Sequence, residues 1–232
     1  MSISSEIERI QTAKSAIITS IENKGVTVPT GAMIDELPEL IDSIPSGGGG
    51  GMYGTEIIGN KAYKTVKMPD GKTWLAENLN YKFSGGTFNP DGYTTTPAYW
   101  FYNGGTVEPV EFYGLLYNGY AAQYLENNKE TLIPGWRLPT ESDYSNLISL
   151  FPNQNAAFKS LCAFDTATND TGFSIINAGR RENNGNYTDA GGADVWTLAA
   201  PGNRQCLFSK WGTVRIESYD RAFAYGIRLI KE

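Results

Sequence analysis

Histidine is absent from all 232 residues. Without it neither a Ser-His-Asp triad nor a Cys-His nucleophile can be assembled. An HExxH zinc site and an imidazole pH switch are excluded as well. Cysteine is scarce: Cys162 and Cys206 are the only two. They could form one bridge or serve as two small buried apolar groups, and spacing alone does not choose. No apolar run approaches the ~18 residues of a membrane span. Glu6, Glu8, Arg9 and Lys14 interrupt the stretch that a secretory signal would keep apolar. Neither membrane insertion nor a signal peptide is therefore expected. Bases are outnumbered, and a net charge of −6 lacks the basic footprint of a general nucleic-acid binder. Metals, cofactors and catalytic residues are not expected.

Aromatic residues are missing from positions 1–45, which carry seven acids against three bases. All 29 aromatics come later, after the run Ser46-Gly47-Gly48-Gly49-Gly50-Gly51. Such a run is a flexible tether, and the composition shift predicts three parts: a helical segment over 1–45, a Gly-rich linker over 46–54 and a main domain over 55–232. In the first part, Ser5 and Glu8 have the spacing of a capping box. Ile3, Ile7, Ile10, Ile17 and Ile21 form an apolar stripe, with Lys14 where the stripe would continue. Gly25 has the place of a C-terminal cap. A second stripe, Ile34, Leu37, Leu40, Ile41 and Ile44, follows Pro29. A 45-residue hairpin buries two such stripes poorly by itself, so the segment is expected to self-associate or dock; packing on the main domain is the alternative.

The main domain reads as strands, then two helices, then strands. Glu56 to Met68 alternates weakly, Pro69-Asp70-Gly71-Lys72 is a tight turn, and 82–110 looks like one long ordered loop. Helices are expected from Asn118 to about Asn127, and after Thr140 with Asp143 at the third helical position. Strand texture returns at 172–176, 195–197, 205–210, 213–217 and 225–230. This order predicts an α+β fold with antiparallel pairing near the C-terminus.

Several local patterns fail as sites. Gly49-x-Gly51-x-x-Gly54 lies in the linker with no strand before it. Gly71-Lys72-Thr73 lacks the first glycine of a phosphate loop, since Val66 stands there. Asn89-Pro90-Asp91 and Glu108-Pro109-Val110 lack the converging oxygen ligands that calcium needs and read better as turns. Glu141 and Asp143 fall in a first helical turn, where capping is their natural work. Trp74, Trp100, Trp136 and Trp196 have the character of core, and Trp211 sits in a turn-like, surface stretch.

Four segments carry a family resemblance: Pro69 to Tyr81 (PDGKTWLAENLNY), Tyr113 to Ala122 (YGLLYNGYAA), Pro134 to Thr140 (PGWRLPT) and Tyr225 to Leu229 (YGIRL). In this order they resemble the Fibrobacter succinogenes major paralogous domain, a branch of the C-type lectin-like fold, over about residues 55–232. The chain departs at Gly119, where the family often has Trp, and at Leu198-Ala199, where a Ser-Ser pair is common. The resemblance implies a C-type lectin-like domain. It extends to the variable proteins of diversity-generating retroelements, whose C-terminal stretch is mutated at adenine-rich codons and serves as a ligand-binding face. Residues 3–7 and 26–32 resemble modules at the front of phage tail and tail-fibre proteins.

The expectation that follows is a non-enzymatic receptor-binding protein of a phage or prophage tail fibre, located on the virion tail. It would bind a bacterial surface protein or glycan and dock to tail structural proteins through its first segment. It would self-associate, and a trimer would suit a fibre. A bacterial surface adhesin of the same fold is the alternative. A formylglycine-generating type of enzyme is a distant one, because Cys162 and Cys206 lie outside that family's motif context. Between Trp196 and Glu232 there are six bases and three acids. Arg204, Ser209, Trp211, Arg215, Ser218, Tyr219 and Arg221 are the expected ligand-binding residues, because Arg and Tyr give large contact area and multivalent hydrogen bonding. All except Trp211 are residue types that a randomised asparagine codon can encode. Trp196, Phe208, Ile216, Phe223, Ile227 and Leu229 are expected as the framework beneath them.

Overall fold

The computed structural model describes residues 3–22, 28–37, 52–102, 110–164, 166–188, 192–199, 202–209, 213–218 and 220–232. Within these spans the side chains of residues 3, 20, 52, 110, 111, 199 and 202–209 lie outside the description. The chain divides into two compact units, Met1–Gly48 and Gly49–Glu232.

In the first unit, helix α1 runs Ile3–Glu22. It starts two residues before Ser5, so the Ser5/Glu8 pair lies inside the helix and does not cap it. Ile21 is buried with Val28, Ala32 and Leu37, and Ile18 packs against them. Ile7, Ile10 and Ile17 remain 49%, 45% and 41% exposed. Of the expected second helix, the described part is a 3-10 turn, Ile34–Glu36, ending at Leu37. Gly25 and the rest of the second stripe lie outside the described residues.

The second unit is α+β. Strands β1 (Met52–Ile58) and β2 (Lys61–Lys67) form an antiparallel hairpin, and the weak alternation over 56–68 covers the end of one and the whole of the other. Gly59 turns it at a φ of 60°, and a Cβ there would lie 2.5 Å from the Tyr81 ring. The turn at Pro69–Lys72, with Gly71 at φ 84°, leads to β3 (Thr73–Leu75). The 82–110 stretch is more ordered than a loop. It contains β4 (Thr87–Phe88) and β5 (Ala98–Phe101), a parallel pair, and ends in the short α2 (Val110–Tyr113). Strand β6 (Leu115–Asn118) then feeds α3 (Gly119–Asn127). Asn118 Oδ1 accepts from the Ala121 and Ala98 amides, so one side chain caps the helix and holds β5.

Helix α4 (Lys129–Leu132) and β7 (Trp136–Arg137) follow. Helix α5 (Glu141–Ser149) opens with the expected Thr140/Asp143 capping box. It buries Tyr144 and Leu147, and Ile148 and Phe151 pack at the edge of the same core. Helix α6 (Gln154–Leu161), capped by Asn153, is not anticipated by the stripe analysis. The remaining strands are β8 (Arg180–Arg181), β9 (Tyr187–Thr188), β10 (Gly192–Ala199), β11 (Gly202–Ser209), β12 (Thr213–Ser218), β13 (Ala224–Tyr225) and β14 (Ile230–Lys231). Among the described residues they complete three sheets, ordered β1-β2-β3-β14-β7, β4-β5-β6-β13-β8-β9 and β10-β11-β12.

Arg228 explains two departures from expectation. It is fully buried, and its guanidinium donates to Asn78 Oδ1 (2.7 Å) and to the carbonyls of Leu75 (3.1 Å), Phe173 (2.7 Å) and Ser174. Phe173 and Ser174 turn their carbonyls onto it, with Ser174 at a φ of 56° and held by the Asn169 side chain. Residues 172–176 therefore form no strand, only a bridge from Ile175 to Cys162. The expected strand over 225–230 likewise splits into β13 and β14, with Arg228 pinned between two sheets. Burial lowers the guanidinium pKa to about 10.

Candidate functional site

Strand β10 anchors the C-terminal sheet. Ala193 and Val195 enter one hydrophobic cluster with Tyr144, Leu147, Phe158 and Val214. Trp196, one residue on, enters the other cluster, with Tyr117, Tyr225 and Ile227. Successive strand residues point to opposite faces, so β10 is buried on both sides. Its backbone is tied inward as well: the Trp196 amide donates to Gly226 O (2.9 Å) and the Leu198 amide to Pro139 O (2.8 Å). The Trp196 indole donates to Tyr117 O and meets the Tyr225 ring edge-on at 4.6 Å. Trp74, Trp100, Trp136 and Trp196 are all buried. Among the expected framework residues Ile227 and Leu229 are fully buried, while Ile216 and Phe223 are partly so. The side chain of Phe208 lies outside the description.

β11 and β12 extend outward from this anchor. Arg204 pairs in register with Thr197 on one side and Ser218 on the other; Ser209 pairs with Gly192 and Thr213. Arg215 and Ser218 are exposed. They are three residues apart on β12, so they project from opposite faces and do not form one patch within the strand. Arg215 meets Glu217 at 3.5 Å. Trp211 and Tyr219 lie outside the described residues.

Arg221 is less free than its sequence context implies. Its guanidinium stacks on the Tyr120 ring at 4.4 Å, and its Nε is buried without a hydrogen-bond partner. The Gly119 amide donates to Arg221 O (2.8 Å), and a Cβ on Gly119 would approach Arg221 Cα and Cβ to 3.0 Å. The glycine and the arginine thus fit each other. The turn is fixed by Asp220, whose Oδ1 accepts from the Ala222 amide (2.9 Å) and whose Oδ2 accepts from the Asn183 side chain (3.2 Å). Asn183 and Tyr120 are neighbours of the site that sequence reasoning missed, because they reach it from distant elements.

Asp194 on β10 was also missed, though an acid inside an apolar strand is a visible signal. It is 1% exposed, neither carboxylate oxygen has a hydrogen-bond partner among the described residues, and Arg180 Nη1 lies 3.9 Å away. Burial pushes its pKa up to about 7; Arg180 opposes that shift and Glu217 adds to it. Asp143 behaves in the opposite way. Burial would raise its pKa, but hydrogen bonds from Arg137, Lys72 and Thr140 outweigh this and hold the carboxyl well below its usual range. Cys162 is a free thiol, buried and pushed well above the ordinary range by that burial, so it is no ready nucleophile. Among the described residues no group of three or more acids or cysteines could hold a metal, and no helix is long and apolar enough to cross a membrane.

The family model of the Fibrobacter succinogenes major domain matches residues 69–231. The chain belongs to this family. No curated protein and no solved structure matches it. The segments that resemble the Fibrobacter succinogenes major domain lie largely in framework. Asn78 accepts from Arg228 and donates to Tyr113 O (3.0 Å); the Tyr81 amide donates to the Tyr117 hydroxyl (2.8 Å); Arg137 holds Asp143. The matched segments therefore supply contacts that hold the domain together.

Proposed function

We propose that this chain is a non-enzymatic ligand-binding protein with a C-type lectin-like domain. It works as the receptor-binding part of a phage or prophage tail fibre, on the virion tail. Its ligand is a bacterial surface protein or glycan, bound through the outer strands of the C-terminal sheet and the residues that follow them. The stretch is of the kind diversified by retroelements. The observation that carries this reading is a contrast within one sheet: β10 is buried on both faces, whereas β12 exposes Arg215 on one face and Ser218 on the other. A rigid inner strand with an outer strand free to change is what a variable binding face requires, since exposed substitutions usually stay within about 0.5 kcal/mol. The first unit supports the assembly part of the proposal. Its exposed Ile7, Ile10 and Ile17 offer a surface for self-association, for which a trimer suits a fibre, and for docking to tail proteins.

The test replaces Arg204, Arg215 and Tyr219 with Ala, and Ser209 and Ser218 with Ala, in the full chain. Attachment to cells that the wild type binds should be lost while the melting temperature stays within a few degrees. Unchanged attachment would move the site elsewhere, with exposed Phe88 and Tyr93 in the 82–101 stretch as the next candidates. Arg221 is left in place because its contact with Tyr120 and Gly119 is structural.

A further inference from the structure

Strand β12 is the edge of its sheet. β11 occupies one side, and among the described residues no backbone group of Thr213–Ser218 has a hydrogen-bond partner on the other. An unpaired edge of this kind is a template for another strand. Beside it runs an open groove of about 510 Å³, bordered by Ile148 of α5, Gln154 of α6 and the β12 residues Val214 and Ile216. The backbone row calls for an extended chain, and the groove leaves room for its side chains.

The residues of β12 indicate which chain. Arg215 and Glu217 flank Ile216, lie on one face of the strand, and have side chains 54% and 41% exposed. Two antiparallel copies of this strand with Ile216 opposite Ile216 bring each Arg215 opposite the other copy's Glu217. Shifting the register by two residues in either direction sets Arg215 against Arg215 or Glu217 against Glu217. A parallel alignment does the same for both residues. A one-residue slip puts the charged face against the apolar one. Opposite charges directly across a strand pair stabilise and like charges destabilise, so the charges select one arrangement.

We propose that β12 pairs antiparallel with β12 of a second copy of this chain, about a two-fold axis at Ile216, joining the two three-stranded sheets into one. The interface is isologous, each copy offering the same patch. Main-chain hydrogen bonds and burial of Ile216 beside Ile148 supply the attraction, and the Arg215–Glu217 pairs set register and partner. Arg215 also belongs to the proposed binding face, so the test of this pairing reads mass in solution and not attachment.

Light scattering of the full chain over a concentration series tests it with four proteins: wild type, R215E, E217R and the double swap R215E/E217R. The mass of the wild type should at least double as concentration rises, whatever association the first unit contributes. Each single variant carries two like-charge pairs and should need about tenfold more protein to reach the same mass. The double swap restores opposite charges and should return to wild-type behaviour, which a folding defect would not do. A mass that is the same for all four at every concentration would overturn the proposal, and so would a double swap no better than the singles. The second result would point to a different partner for this edge, such as an extended peptide of another protein.

Discussion

A carboxylate inside an apolar strand costs free energy unless something answers its charge. Asp194 is such a group: its oxygens accept no hydrogen bond and Arg180 approaches only to 3.9 Å. Its folded-state pKa of about 7 lies above the ordinary carboxylate value. Its contribution to stability is thus fully present below about pH 4 and is lost as pH rises through 7. Asp143 carries the opposite sign: its depressed pKa contributes above about pH 4, and that contribution fades on acidification. The variant D194N should melt close to wild type near pH 4 and above it near pH 8. A gap that is the same at both would show that the Asp194 charge is answered by some other group. Arg228 illustrates why such residues are hard to read from sequence. It is visible in the closing Tyr-Gly-Ile-Arg-Leu segment, but its acceptors Asn78 and Leu75 lie 150 and 153 residues away, and Phe173 and Ser174 lie 55 and 54 away. No local pattern announces that four distant carbonyl oxygens will converge on one guanidinium.

Elements whose signals are local were legible. Thr140 and Asp143 satisfy each other within one turn, so α5 follows from four residues; Asn118 does the same for α3. The antiparallel pairing of the C-terminal strands follows from the order of elements along the chain. Elements decided by distant partners were not: 172–176 has strand composition yet bends around Arg228, and β4 and β5 exist because Asn118 and Trp100 hold that stretch in place. The candidate site divides similarly. The position of Arg215 on a strand was readable, whereas the capture of Arg221 by Tyr120 and Gly119 was not. In the first unit α1 was readable by its stripe, and the exposed isoleucines give it a consequence. Replacing Ile7, Ile10 and Ile17 with Ser should lower the mass of the full chain in solution while costing little in the melting temperature of the main domain. An unchanged mass would leave tail docking as the role of that face.

Across the whole molecule, the proposed function gives the two kinds of residue in the C-terminal region separate work. Family membership is written into the framework, through Asn78, Arg228, Trp136 and the Arg137–Asp143 pair. The proposed recognition is written into outer positions that the framework does not need. The most direct measurement of that division is a pair of libraries in the full chain, scored for melting temperature and for attachment to cells. One randomises positions 204, 209, 215, 218 and 219; the other randomises 195, 196, 214, 227 and 229. Most members of the first should keep a melting temperature near wild type and lose attachment, while most of the second should fail to fold, since truncating one buried residue costs about 2–5 kcal/mol. If the first library unfolds as often as the second, or keeps attachment throughout, the outer strands are not a display surface and the central claim is contradicted.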